Sequence, residues 1–273
     1  MERFKAAPFH PDGLWNDCGI IRPSGVRILT SDTVVKYGIG DLGPEALAMA
    51  FIQKHTTIPV PKVLRCFPQL WPEDGTQIGT YLVLEKIDGR PLMKVWPALS
   101  SSQKSEIVST IQGYINQLRE ASAHYPRRHI PGPMGQTAQQ CHGASWVFGD
   151  KFHGPFRSSR RFVDFLQQLF RISETVQPGH RHGRLDQSQP MVLTHGDLSM
   201  RNILLGVDGK VWLIDWGFSG FYPVWLEYLA TRSALHNDLL APDRSREALK
   251  EWEKCIPSMT GEWANELNLI GPW

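Results

Sequence analysis

Cysteine is scarce in this sequence and is not paired. Its four cysteines, Cys18, Cys66, Cys141 and Cys255, stand far apart and form no CxxC motif. That spacing argues against a zinc site or a disulfide framework and fits a reducing, cytoplasmic setting. Long apolar runs are also missing: none approaches the roughly 20 residues a membrane-spanning helix needs. The opening Met1-Glu2-Arg3-Phe4-Lys5 is polar and runs into Pro8 and Pro11, with no apolar signal-peptide core. Charge of one sign is not in excess. With 29 basic and 27 acidic residues the formal net charge is +2, so neither nucleic acid nor an anionic membrane is expected as a main partner. No repeat of solenoid or propeller period occurs. The glycine-rich GxxxxGK[ST] run is absent, which excludes a P-loop nucleotide site.

What remains is the make-up of an ordinary globular protein. The 273 residues are 41% hydrophobic and 21% charged, enough for a sizeable core in one large domain or two lobes. The first third reads as β-rich. Gly19-Ile20-Ile21-Arg22, Val26-Arg27-Ile28-Leu29 and Thr33-Val34-Val35-Lys36-Tyr37 are β-prone runs split by Pro23-Ser24-Gly25 and Ser31-Asp32. Gly43-Pro44 opens a helix, with proline in the first turn and Glu45 behind it. Leu47, Ala48, Ala50, Phe51 and Ile52 are its expected buried side, and it should stop near Thr56-Thr57. Val60–Val63 and Thr80–Glu85 read as further strands across a proline- and glycine-containing loop.

After Asp88-Gly89 the pattern turns helical. From Ser100 to Glu120, Ile107, Val108, Ile111, Tyr114, Ile115 and Leu118 recur at helical spacing. Tyr125 to Gly154 is loop-rich, Phe162 to Ile172 helical, and Pro178 to Pro190 a polar surface loop. These features divide the chain into a small β-rich lobe, residues 1–88, and a larger helical lobe, residues 89–273. Leu84 to Gly89 would be the hinge.

The chemistry concentrates in one stretch. Val192-Leu193-Thr194-His195-Gly196-Asp197-Leu198-Ser199-Met200-Arg201-Asn202-Ile203-Leu204-Leu205 leads to a Val207-Asp208-Gly209-Lys210 turn and then Val211-Trp212-Leu213-Ile214-Asp215-Trp216-Gly217. It offers an aspartate, an amide five residues on, and a second aspartate ending an apolar strand. Phosphoryl transfer needs a metal held against the phosphates, an acceptor hydroxyl held in line, and a carboxylate for its proton. Magnesium takes a few protein oxygens and completes its shell with water and phosphate. Asn202 and Asp215 can supply two such oxygens, leaving Asp197 to orient the acceptor. Taken singly, Asp197 could be a turn residue, Asn202 a loop residue bonding backbone, and Asp215 a cap.

The array resembles the kinase superfamily's catalytic loop HxDxxxxN and its metal-binding DxG. His-Gly-Asp-Leu with an Arg-Asn-Ile end is similar to the aminoglycoside phosphotransferase and choline kinase branch. Ile214-Asp215-Trp216-Gly217-Phe218-Ser219-Gly220-Phe221-Tyr222-Pro223 resembles the form found in fungi. The resemblance runs from about Val34 to Tyr228 and is closest over 192–228. It implies an α+β, protein-kinase-like bilobal fold with a small antiparallel β-rich N-lobe and a larger helical C-lobe. It also implies an ATP- and magnesium-dependent phosphotransferase.

In that resemblance Lys36 contacts the α- and β-phosphates and Glu45 orients it. Read alone, Lys36 is an exposed strand lysine and Glu45 an acid favoured by the helix dipole. The Glu85 carbonyl and Ile87 amide would read adenine, over an apolar floor of Leu204 and Ile214, which plain core packing explains nearly as well. His195 is implied to be structural, bonding backbone near the metal aspartate rather than acting as a base. The chain departs from the wider superfamily in having no GxGxxG before Lys36. Tyr222-Pro223 follows Asp215 almost at once, which leaves little room for a peptide-docking segment and favours a small-molecule acceptor. Its pocket is expected from Asp197, the stretch after Gly217 and the loop from Ser145 to Phe156. Trp216, Trp225 and Glu227 could line it or belong to the core. The sequence also leaves open a non-catalytic pseudokinase and the same fold recruited to other chemistry.

Overall fold

The computed structural model describes residues 24–38, 41–70, 77–141, 151–176 and 183–270. The Gly19–Arg22 run and residues 145–150 of the expected acceptor loop lie outside them. Strands β1 (Ser24–Ile28), β2 (Thr33–Gly38), β3 (Val63–Leu70) and β4 (Gln77–Glu85) form an antiparallel sheet in the order β1-β2-β4-β3. Ser24 and Gly25, expected in a turn, are instead the first residues of β1, opposite Gly38 and Tyr37. The strand expected from Val60 begins only at Val63. Pro59 and Pro61 lack the N–H that a ladder needs, and the carbonyls of Val60 and Pro61 accept from Gln53 Nε2 instead. β3 then runs on through Pro68, where a loop was expected. It is an edge strand, where a missing donor breaks no ladder bond.

Helix α1 (Gly43–His55) follows β2 with Pro44 in its first turn. It buries Glu45, Ala46, Ala48, Met49 and Ile52, while Leu47 and Ala50 are exposed, a correction to the face read from the sequence. Residues 45, 48, 49 and 52 share one side of a 3.6-residue helix, so admitting the charged Glu45 to the interior turns Leu47 and Ala50 outward. Leu82 and Leu84 of the sheet join Ala48, Met49 and Ile52 in one core, with the half-buried Val34 packed against it. Each leucine, isoleucine or methionine among them contributes roughly 1.5–3 kcal/mol on burial.

From β5 (Gly89–Pro91) onward the chain is mostly helical: α2 (Leu92–Val95), α3 (Ser101–Ala121), α4 (Ser159–Val176), α5 (Leu226–Leu240), α6 (Arg246–Thr260) and α7 (Ala264–Ile270). Ser100 caps α3 with Gln103 in a capping box, and Ile107, Ile111, Ile115 and Leu118 make its buried stripe. Trp96 and Trp252 meet edge to face at 5.6 Å between α2 and α6. Among the described residues no helix is long and apolar enough to cross a membrane.

Four short strands bring the chemistry together. β7 (Ile203–Gly206) and β8 (Val211–Leu213) form a hairpin around Gly209, whose φ is +76°. β5 adds to its other edge. β6 (Met191–Thr194) pairs with β9 (Gly220–Pro223), setting Thr194 opposite Gly220. The segment leaving β6, which carries Asp197, and the segment leaving β8, which carries Asp215, are therefore bound side by side. The architecture is α+β, a protein-kinase-like arrangement of an antiparallel N-terminal sheet and a helical C-terminal part.

Candidate active site

Lys36 projects from β2 on the face opposite the buried Val35. Its Nζ lies 2.9 Å from Glu45 Oε1 and 2.6 Å from Asp215 Oδ1. The sequence separation between Lys36 and Asp215 is thus closed by a direct ion pair. Burial opposes the charge on Lys36, yet Asp215 and Glu45 together raise its pKa above the ordinary lysine value. Lys36 in turn holds the Asp215 carboxyl below the usual carboxylate range. Burial pushes Glu45 up, with Lys36 opposing. One ammonium faces two carboxylates, one buried and the other, Asp215, 47% exposed.

Asp215 has φ +62°, a left-handed conformation rare for a residue with a side chain. Gly217, two residues on, lies so close that an added Cβ would meet Glu45 Oε2 and Lys36 Nζ at 3.4 Å. The bend folds the Asp215 carboxylate back over the lysine.

The loop after β6 is held differently. Asn202 Nδ2 donates to the Asp197 carbonyl at 2.9 Å and to Asp197 Oδ2 at 2.8 Å. His195 accepts the Asp197 backbone N–H on Nδ1 at 3.2 Å, and its Nε2 is 3.1 Å from the Ile214 carbonyl. That pattern places the proton on Nε2. Burial lowers the His195 pKa, with Glu227 opposing, so the ring is neutral near pH 7. The imidazole links the two loops and touches no solvent, being 0% exposed.

The donor set suits a divalent cation among phosphates. Both bonds of Asn202 Nδ2 go to Asp197, so Oδ1 is its remaining ligand atom. Ile214 N–H donates to the Asn202 carbonyl at 2.9 Å, which fixes Asp215 one residue beyond. Among the described residues no three His, Cys, Asp or Glu side chains converge as an all-protein cage would require. Magnesium takes few protein oxygens where phosphate and water supply the rest, so Asn202 Oδ1 and the Asp215 carboxylate fit such an ion.

The residues expected around adenine lie at the end of β4, in the segment that follows it, and on the β7–β8 hairpin. Glu85 ends β4, its amide donating to the Lys62 carbonyl at 2.9 Å and its carboxylate accepting the Lys62 N–H at 3.1 Å. Ile87 lies in the segment from β4 to β5, and Pro91 of β5 stands opposite Leu204. Ile203 and Leu213 are fully buried, whereas Leu204 and Ile214 are half-buried on the other face of the β7–β8 hairpin. This alternation turns Leu204 and Ile214 away from the core.

The sequence pattern of the phosphotransferase enzyme family, APH, matches residues 40–254. The chain belongs to this family. Among solved structures, the GDP and kanamycin complex of APH(2")-IIia shares 14% identity at a TM-score of 0.50, covering 96% of this chain and 81% of that one. Spectinomycin phosphotransferase with ADP and spectinomycin shares 12%, covering 94% and 78%, at 0.49. The choline kinase LicA from Streptococcus pneumoniae shares 14%, covering 92% and 78%, at 0.42. No curated protein matches the sequence.

In this member of the phosphotransferase family, Glu227, Trp216 and Trp225, which the sequence left between pocket and core, take definite places. Glu227, 3% exposed on α5, accepts the His195 N–H at 2.6 Å and the Gly196 N–H at 3.2 Å. Burial raises its pKa, opposed by His195 and those two amides. Gly196 has φ +82°, and a Cβ there would lie 2.5 Å from the Phe218 carbonyl. Only glycine allows that approach, and the His-Gly-Asp run is the one signal that could have found it. Trp216 and Trp225 are buried, their indoles donating to the carbonyls of Leu213 and Asp186. Both therefore serve packing, and Glu227 serves the loop.

Proposed function

We propose that the chain is an ATP- and magnesium-dependent kinase that transfers the γ-phosphate to a hydroxyl, less readily an amine, of a small metabolite. The observation that carries this reading is the convergence of Lys36, Glu45 and Asp215 beside the bonded Asp197–Asn202 pair. Nucleotides in the solved relatives, GDP with APH(2")-IIia and ADP with spectinomycin phosphotransferase, support it. In this reading residues 1–88 and 89–273 are two lobes with the nucleotide between them.

Lys36 binds the α- and β-phosphates, and Glu45 keeps its ammonium aimed at them. The Glu85 carbonyl and Ile87 amide hold adenine against Leu204 and Ile214. Asn202 and Asp215 would hold magnesium, which when bound neutralises phosphate charge. Asp197 accepts a hydrogen bond from the acceptor hydroxyl and takes its proton as the oxygen bonds to phosphorus. The bond from the γ-phosphorus to the bridging oxygen breaks, and ADP leaves with that electron pair. Each assignment is positional, and positioning is most of what such transfers require.

A small acceptor suits the region after Asp215. Residues 220–223 are buried in β9 against β6, and α5 starts at Leu226. That leaves no free segment to dock a peptide. Three thiols, Cys66, Cys141 and Cys255, are unpaired among the described residues, in keeping with a cytoplasmic setting. The test is ADP release from magnesium-ATP across a panel of hydroxylated metabolites. Release with one acceptor class, lost in Asp197→Ala, supports the reading. ADP release that Asp197→Ala leaves intact contradicts it.

A further inference from the structure

We propose that Arg201 is a positioning residue for Asp197, and that Asp238 and Arg244 of the helical part hold Arg201 in place. This rests on reading Asp197 as the carboxylate that orients the acceptor. Arg201 lies four residues after Asp197, and its Nη2 is 3.5 Å from Asp197 Oδ1. Asn202 Nδ2 sits 2.8 Å from the other oxygen, Oδ2. Consecutive residues thus face the two oxygens of one carboxylate. On its far side Arg201 Nε is 2.9 Å from Asp238 Oδ1, and Arg244 Nη1 pairs with that same oxygen. Asp238 is 4% exposed on α5. Burial pushes its carboxyl up, with Arg201 and Arg244 opposing.

An arginine–carboxylate–arginine chain around one buried carboxylate is a weak source of stability. Removing Asp238 and part of each guanidinium from water offsets much of what their attraction returns, and apolar replacements are often as stable. What the chain does supply is direction. A guanidinium can address two carboxylates through different nitrogens of one rigid plane, which an ammonium cannot. Asp238 draws the guanidinium from behind by charge, so the outer nitrogen stays near Asp197. At 3.5 Å the contact is looser than a hydrogen bond, and such contacts tighten when the reacting complex forms. A displacement of about 1 Å in Asp197 would cost on the order of 10²-fold in rate.

The experiment compares Arg201→Gln, Arg201→Lys, Asp238→Asn and their Gln/Asn double variant, using ADP release with the best acceptor from the panel, or with water as acceptor if none is turned over. Arg232→Gln is the control, because it breaks an α5–α6 ion pair, Arg232–Glu253 at 2.8 Å, that does not reach Asp197. The expected result is a fall in kcat of about 10- to 100-fold for Arg201→Gln and for Asp238→Asn. KM for ATP should stay within about twofold, the double variant should be no worse than the poorer single, and Arg201→Lys should fall between. If Asp238→Asn does not fold, Arg244→Gln tests the same chain from its other end. Wild-type kcat in Arg201→Gln and Asp238→Asn, with Asp197→Ala inactive, overturns the proposal and leaves the reading of Asp197 standing. So would multiplied losses in the double variant, or an effect confined to KM. Full turnover in Asp197→Ala would instead remove the reading on which it rests.

Discussion

Two clusters of charge meet in this site, and they are held differently. At the proposed nucleotide end, Lys36, Glu45 and Asp215 hold one another through side-chain ion pairs, and Asp215 faces solvent. At the proposed acceptor end, Asp197 is held through its backbone as well as through its carboxylate. Asn202 bonds its carbonyl, His195 takes its amide, and Glu227 binds the two amides just before it. In the proposed kinase, side-chain ion pairs can re-form around an incoming phosphate without moving the chain. Backbone bonds to the buried Glu227 carboxylate would keep the loop that carries Asp197 still before substrate arrives. One end would exchange partners and the other would not.

The comparison breaks most sharply at Asp197. Asp197→Ala should lower turnover by about 10²–10⁴-fold, the usual range for losing a positioned acid or base, while stabilisation by magnesium-ATP persists. Turnover and thermal shift on one preparation check both halves. The next effect is at Glu227. In Glu227→Ala the buried His195 and Gly196 amides lose their acceptor, at about 1–3 kcal/mol each, so the urea midpoint and turnover should fall together. An unchanged midpoint would show that the acceptor end is not backbone-braced.

Lys36→Met should weaken nucleotide binding roughly 10-fold or more, about the 1.4 kcal/mol of one charge-assisted contact. It also strands the buried Glu45, so adding Glu45→Gln should recover folding stability but not affinity. Calorimetry and urea melts separate the two. Recovered affinity would mean that Lys36 is structural.

The smallest effect concerns His195. Burial lowers its folded pKa beneath the ordinary value of about 6.5. In acid the unfolded chain therefore binds a proton that the native ring refuses. The stability this contributes is complete above about pH 6.5 and is lost as pH falls toward the folded value. The urea midpoint should drop in that window in wild type and drop less in His195→Gln. Equal slopes would count against a neutral, buried bridge.

Legibility in the sequence followed the same divide. Asp197, Asn202 and Asp215 could be read because three oxygen-bearing side chains sit at fixed spacing within one short stretch. Lys36 and Glu45 were singled out by the resemblance, because read by themselves they are a strand lysine and a helix-opening acid. Glu227 was named only as a residue of the pocket or the core, and Arg201 and Asp238 had no role. Glu227 works on backbone amides, which leave no mark in a sequence, and Asp238 acts through a partner far away in the chain. The face of α1 was misread for a related reason. A buried glutamate is expensive unless paired, and its pairing with Lys36 becomes visible only when β2 and α1 are packed together. β3 was read too early and too short, because Pro68 reads as a breaker until the strand is known to be an edge.

The most direct test of the account is the thermal shift produced by ATP with and without magnesium in wild type, Asp197→Ala and Asp215→Ala. A ligand near 100 times its Kd adds about 2.7 kcal/mol to the folded state, roughly 5–10 °C for a chain of this size. The account predicts that shift, dependent on magnesium, in wild type and Asp197→Ala, and its loss in Asp215→Ala. No shift in wild type at millimolar ATP, or an equal shift with the metal chelated, would contradict it.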